Sequence, residues 1–200
     1  MTEIVIPKDI KNIVFDLGGV ILNIDYHKTA QAFNNLGCEN FDEIYSQKQQ
    51  KGLFDRFEIG QISSQEFIKE LLKALPVGVR PKEVVDAWNA MLLNLPQERI
   101  ESLQGLNQTH RVFLLSNTNQ IHEEAFTKII QQENGIASFN HLFEKVYFSH
   151  QIGLRKPNRE VFDYVLRENG LKPTETLFID DSPQHLLGAE KAGIRTLLYN

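Results

Sequence analysis

Short apolar runs recur along the chain at Ile13–Phe15, Val112–Leu115, Val146–Phe148, Leu177–Ile179 and Thr196–Tyr199. Each is β-branched, aromatic or leucine-rich, and has the length of a strand buried on both faces. Between them lie Gln120–Gln132, Arg159–Asn169 and Pro183–Ala192, whose apolar residues recur at helical spacing. Gly135, Gly170 and Gly193 follow at positions suited to helix ends. Strand and helix in alternation predict an α/β protein with a doubly wound parallel sheet.

The first interval breaks the alternation. Almost a hundred residues separate Phe15 from Val112, far more than one crossover helix requires. Tyr26–Leu36, Phe41–Gln50, Ser64–Leu75 and Lys82–Leu93 carry apolar residues at helical spacing, and Ser63 with Glu66 forms a capping-box pattern ahead of Phe67. The expected organisation is a sheet core over residues 1–24 and 94–200, interrupted by a small helical cap over residues 25–93.

Polar residues follow the apolar runs: Asp16 after the first, Ser116 and Asn117 after the second, Asp180 and Asp181 after the fourth. In an open parallel sheet the carboxyl ends of the strands face one crevice, so these side chains should converge. Three carboxylates brought together repel and raise one another's pKa unless a cation compensates. With oxygen ligands alone, a hard divalent ion such as Mg²⁺ is the natural partner. Ser116 and Asn117 stand where a strand turns into a helix, whose start offers free N–H groups to a phosphate. Lys156, in a loop stopped by Pro157, could neutralise Asp16 and a phosphoryl group together.

Each element alone has an ordinary structural reading: Asp16 as a turn residue, Ser116-Asn117 as a helix cap, Lys156 as a solvated loop lysine. Four such features in order at strand ends are what point to chemistry. His122, His141 and His185 share no metal-ligand spacing and read as structural.

Composition narrows the picture further. A formal net charge of −5 argues against a general binder of nucleic acid or anionic membrane, so any phosphate recognition must be local. Cys38 is the single cysteine, which excludes an intrachain disulfide and fits a reducing compartment, the cytoplasm by default. The opening stretch lacks a basic start followed by a clean apolar run, so neither signal peptide nor membrane span is expected. No GxGxxG follows the first apolar run and no GK[ST] occurs, which leaves dinucleotide and P-loop readings without their motifs.

IVFDLGGV, LLSNTN, the lysine of LRKPNREVF and FIDDSP, in that order and with a helical cap between the first two, resemble the haloacid dehalogenase-like hydrolase superfamily. Within it the chain is similar to bacterial sugar-phosphate phosphatases of the α-glucose-1-phosphate phosphatase type, including the stretch FDRFEIGQISSQEF. The resemblance implies a Mg²⁺-dependent phosphatase acting on a small phosphate ester such as glucose 1-phosphate. Asp16 would be the nucleophile that becomes an aspartyl phosphate. Ser116 and Asn117 would hold phosphate oxygens, and Lys156 would stabilise the nucleophile and developing charge. Asp181 would bind the metal with Asp16 and the backbone carbonyl of Gly18, and Asp180 would orient Lys156 or the metal's waters.

Two positions depart from the pattern. Many phosphatases of the superfamily carry a second Asp two residues after the nucleophile as general acid and base, and this chain has Gly18 there. Such proton transfer contributes about 10²–10⁴-fold, so its loss favours good leaving groups such as an anomeric oxygen. Asp25, His27, Asp55 and Arg56 are candidates for contacts from the cap. His185 stands where relatives often place Asn or Asp. The competing readings are a dehalogenase attacking carbon without a metal, and a catalytically weak binding relative.

Overall fold

A computed structural model of the chain describes residues 5–38, 41 and 52–199. Among these residues, β1 (Asn12–Phe15), β2 (Arg111–Ser116), β3 (Lys145–Phe148), β4 (Thr176–Asp180) and β5 (Arg195–Leu198) form one sheet. The order is β3-β2-β1-β4-β5 and every neighbouring pair is parallel. The chain leaves β1 toward one edge and later returns to β4 on its other side. The topological switch point therefore lies between β1 and β4, where such sheets open a crevice.

Both faces of the sheet are covered, which explains why the strands read as unbroken apolar runs rather than alternating ones. Ile13, Phe15, Val112, Leu114, Leu177 and Ile179 point into one core with Ile100 and Leu103 of α5 (Gln97–Leu106) and Phe126 and Ile130 of α6 (Gln120–Asn134). Val14, Phe113, Leu115 and Phe178 point the other way. They meet Val161, Phe162 and Val165 of α8 (Arg159–Asn169) and Leu186 and Ala189 of α9 (Pro183–Lys191). Fully burying each such side chain contributes about 1.5–3 kcal/mol.

Among the described residues of the long first interval, α1 (Tyr26–Asn35), α2 (Leu53–Glu58), α3 (Ser64–Leu72) and α4 (Pro81–Asn89) surround a further core. That core is aromatic, with Phe57 stacked on Phe67 at 4.1 Å and Phe67 edge-on to Trp88 at 5.0 Å. The capping box of α3 forms as expected, the Ser63 N–H donating to Glu66 Oε2 at 2.9 Å and the Glu66 N–H to Ser63 Oγ at 3.2 Å. Beyond Phe41, the helix expected over Phe41–Gln50 lies outside the described residues.

α4 stops at Asn89, short of the expected Leu93, because Ala90 and Met91 form a turn and Leu92 pairs with the outgoing chain. The Asp25 N–H donates to the Met91 carbonyl at 2.9 Å, and the Leu93 N–H to the Asn23 carbonyl at 3.0 Å. The two ends of the insertion are thus fastened side by side as an antiparallel pair, with Ile24 opposite Leu92. α5 was not among the expected helices; α2 and the short α7 (Ser149–Ile152) were also unmarked by periodicity. Among the described residues, no helix is long and apolar enough to cross a membrane.

Candidate active site

Strand register brings the acids together. Phe15 lies opposite Ile179 and the Asp16 N–H donates to the Ile179 carbonyl at 2.9 Å, which sets Asp16 beside Asp180 at the switch point. Asp181 follows at once. Asp16, Asp180 and Asp181 each offer a carboxylate oxygen within 4.8 Å of the others, although 164 residues of chain separate the first two.

Lys156 enters from the loop after α7 and is wholly buried. Its Nζ donates to Asp16 Oδ1 at 2.6 Å and to Asp180 Oδ2 at 2.7 Å. Burial works against the ammonium, but the two carboxylates overcome it and hold the pKa of Lys156 above its ordinary value. Burial pushes the Asp16 carboxyl up to about 6, opposed by Lys156 and assisted by Asp180. Asp180 is buried too, yet the ammonium and His185 outweigh that and keep it below the usual carboxylate range. Asp181 is raised by partial burial and by its neighbour Asp180.

The hydrogen bonds divide the labour among the three acids. Asp180 Oδ1 accepts from the Ser182 N–H at 2.7 Å, and His185 Nδ1 lies 3.1 and 3.0 Å from its two oxygens. With Lys156 on Oδ2, both oxygens of Asp180 are engaged, so it is suited to orienting its neighbours. The second oxygen of Asp16 and the carboxylate of Asp181 are the donors that suit a hard cation. Three carboxylates against one ammonium leave a negative crevice, which a divalent cation would balance before an anionic substrate could enter.

The turn after β2 is held from within. Asn117 Oδ1 accepts from the Lys156 N–H and its Nδ2 donates to the Lys156 carbonyl, each at 2.9 Å. The Asn117 amide is therefore committed to the backbone of Lys156. Ser116 is buried at the end of β2. The Thr118 N–H donates to Ser149 Oγ at 2.9 Å, and the His122 N–H to Asn119 Oδ1 at 3.0 Å. Two of the N–H groups expected to be open at this helix start are thus already paired.

Glycines let the backbone approach the acids. Gly19 has φ +77°, and a Cβ there would collide with Asp181 Oδ2, so only glycine fits. Gly18 has an ordinary φ, but a Cβ would lie 2.9 Å from Ile24 Cδ1. Of the other candidates, Asp25 caps α1 by accepting from the His27 N–H at 3.0 Å, His27 and Arg56 are exposed, and Asp55 pairs with Arg155. His122 is a buried structural histidine between Asn119 and the Trp88 carbonyl. His185 is the site contact that spacing alone missed. It lies one turn into the helix that begins beside Asp180, so a polar residue there faces back toward the acid pair.

The haloacid dehalogenase-like hydrolase model matches residues 10–193. The chain is 34% identical to the D-ribitol-5-phosphate phosphatase of Bacteroides thetaiotaomicron over 188 residues, 94% of this chain and 90% of that protein. Its structure is similar to that of a HAD family enzyme of the same organism, solved in complex with magnesium and inorganic phosphate. That similarity has a TM-score of 0.85 at 33% identity, covering 96% and 94% of the two chains. The structure of a predicted HAD-like family hydrolase from Porphyromonas gingivalis gives a TM-score of 0.85 at 34% identity over 94% of this chain and 90% of that one. With the family's extent matched and its acids gathered at the switch point, this chain belongs to the haloacid dehalogenase-like hydrolases.

Proposed function

We propose that the chain is a Mg²⁺-dependent phosphatase of small polyol or sugar phosphates, working through an aspartyl phosphate on Asp16. The observation that carries this reading is Lys156 Nζ bridging Asp16 and Asp180 with Asp181 alongside. A carboxylate that is to attack phosphorus must stay ionised in a buried crevice, and an ammonium at 2.6 Å does that while leaving one oxygen free. Bound Mg²⁺ would be held by Asp16, Asp181 and the Gly18 carbonyl and would neutralise phosphoryl charge.

Asp16 forms the new O–P bond as the bond from phosphorus to the substrate's oxygen breaks, and that oxygen leaves with a proton drawn ultimately from water. Water then attacks the aspartyl phosphate, releasing inorganic phosphate and restoring the carboxylate. Lys156 offsets charge developing on the equatorial oxygens throughout. Ser116 and the backbone at Asn117 hold the phosphoryl group in this scheme. Residues 25–93 act as a cap over a core of residues 1–24 and 94–200.

The substrate class follows the similarity to a D-ribitol-5-phosphate phosphatase, which supports an acyclic polyol phosphate over the glucose 1-phosphate expected from the sequence. Phosphate release from matched ribitol 5-phosphate and glucose 1-phosphate, with Mg²⁺ or with EDTA, tests both the metal and the class. Asp16→Asn should remain folded and lose turnover and covalent phosphorylation together. A variant that turns over like the natural protein overturns the covalent route.

A further inference from the structure

One half-buried ionic cluster lies beside the acids without belonging to them. Arg155, the residue before Lys156, pairs through Nη1 with Asp55 Oδ1 and through Nη2 with Glu58 Oε2 at 3.1 Å. Asp55 and Glu58 are three apart on α2 and so share one face of that helix. The side chains of Arg155 and Glu58 are only 19% and 18% exposed, so this contact is better shielded than an ordinary surface pair.

Backbone packing at the same place is equally close. Gly60, in the turn after α2, has φ +70°, and a Cβ there would collide with the His150 carbonyl. The insertion is thus seated directly on α7 and on the loop that follows it. In the same loop, Asn117 holds both backbone groups of Lys156. The main chain of the lysine is fixed from the core by Asn117 and, one residue away, from the insertion by Arg155.

We propose that Arg155 is a positioning residue that couples docking of α2 to the seating of Lys156. The guanidinium's planar fork presents a separate nitrogen to each of two carboxylates one turn apart while its own backbone continues into the lysine. Departure of α2 frees the loop on one side, and Lys156 Nζ then loses the short, two-carboxylate geometry that chemistry requires. Burial raises the Glu58 carboxyl, and both Arg155 and Lys156 draw it down, in keeping with a carboxylate placed within the field of both cations. This inference rests on the reading of Lys156 as a catalytic group.

Two readouts separate the coupling from the reaction. Arg155→Met should lower kcat by about 10–100-fold on both p-nitrophenyl phosphate and ribitol 5-phosphate with little change in KM, because the defect lies at the lysine and not at the leaving group. Asp55→Asn/Glu58→Gln should give the same loss, and all three changes together should cost no more than either set alone. Arg155→Lys, which keeps charge and fold, should recover only part of kcat. Independently of turnover, hydrogen exchange at the Lys156 N–H should speed up about 10-fold or more in Arg155→Met and in Asp55→Asn/Glu58→Gln. Unchanged exchange and unchanged kcat, additive losses, or a loss confined to KM for ribitol 5-phosphate overturn the coupling. An inactive natural protein whose Lys156 exchange still responds refutes the phosphatase reading and leaves the coupling standing.

Discussion

Asn117 holds Lys156 by its main chain, its Oδ1 accepting the Lys156 N–H and its Nδ2 donating to the Lys156 carbonyl, each at 2.9 Å across 39 residues of sequence. Both halves of one amide are used on one residue, which fixes where the lysine's side chain starts and hence where Nζ ends. Asn117→Ala should reduce kcat on the order of 100-fold through misplacement of the ammonium. Stability should fall by only about 1–3 kcal/mol for two lost hydrogen bonds. Asn117→Asp, which keeps the acceptor alone, should fall between. Steady-state kinetics beside thermal melts checks this, and an Ala variant that melts lower but turns over normally refutes the positioning role.

Asp180 and Asp181 are adjacent acids with opposite expected failures. Asp181 is solvent-facing with its carboxylate among the cation donors, so Asp181→Asn should lose Mg²⁺ activation while folding normally. Asp180 is fully buried and serves Lys156, the Ser182 N–H and His185, so Asp180→Asn should cost about 3–5 kcal/mol of stability, as expected for one partner removed from a buried pair. Mg²⁺ titration of activity, binding calorimetry and denaturant melts distinguish the two. Full Mg²⁺ affinity in Asp181→Asn would refute its assignment.

His122 provides a pH test at the seam between insertion and core. Its ring stacks on Trp88 at 4.9 Å, and Nε2–H donates to the Trp88 carbonyl at 3.0 Å, which leaves Nδ1 to accept from Asn119. Burial lowers its pKa to about 4, with the bond to the Trp88 carbonyl opposing. The unfolded chain, with an ordinary histidine near 6.5, binds more protons between these values, so stability rises with pH across that window and is fully present above it. From pH 7 to pH 5 this one residue should remove about 2 kcal/mol, or about 4–8 °C in Tm. Subtracting the pH profile of His122→Gln from that of the natural protein isolates the effect; parallel profiles sink it.

The legible part of the site was the part written in strands. Asp16, Asp180 and Asp181 could be placed because a parallel sheet brings every strand's carboxyl end to one edge, whatever the distance in sequence. Lys156 was legible only as a member of that set. The amide of Asn117 could equally have faced a ligand or a neighbouring backbone, and nothing local decides between them; the position of the Lys156 loop does. The pairing of Arg155 with Asp55 and Glu58 spans about a hundred residues between two exposed-looking charge patterns, so it carries no periodic signal. α5 was missed for another reason. Its apolar face is only Ile100, Leu103 and Leu106 among polar residues, and tertiary packing against the sheet core supplies what local pattern lacks.

Gly18 is where space and chemistry meet. A side chain there is opposed by Ile24, whose Cδ1 would lie 2.9 Å from a new Cβ, and Ile24 is itself tied to Leu92 where the insertion joins the core. A pentitol phosphate releases an alkoxide, which needs a proton far more than an aryl or anomeric oxygen does. Without a carboxylate at position 18, turnover should therefore depend steeply on leaving-group basicity, with p-nitrophenyl phosphate outpacing ribitol 5-phosphate in kcat. Gly18→Asp alone should gain less than when paired with Ile24→Val, because the new side chain must first displace the terminal methyl of Ile24. Gly18→Asp with Ile24→Val should relieve the collision and raise ribitol 5-phosphate turnover most, flattening the dependence. Gly18→Ala with Ile24→Val, which adds the bulk without the acid, should leave it steep. If the natural protein already cleaves both esters at equal kcat, and the paired Asp variant changes neither rates nor their ratio, the proton comes from another group and the steric account of Gly18 has no bearing on catalysis.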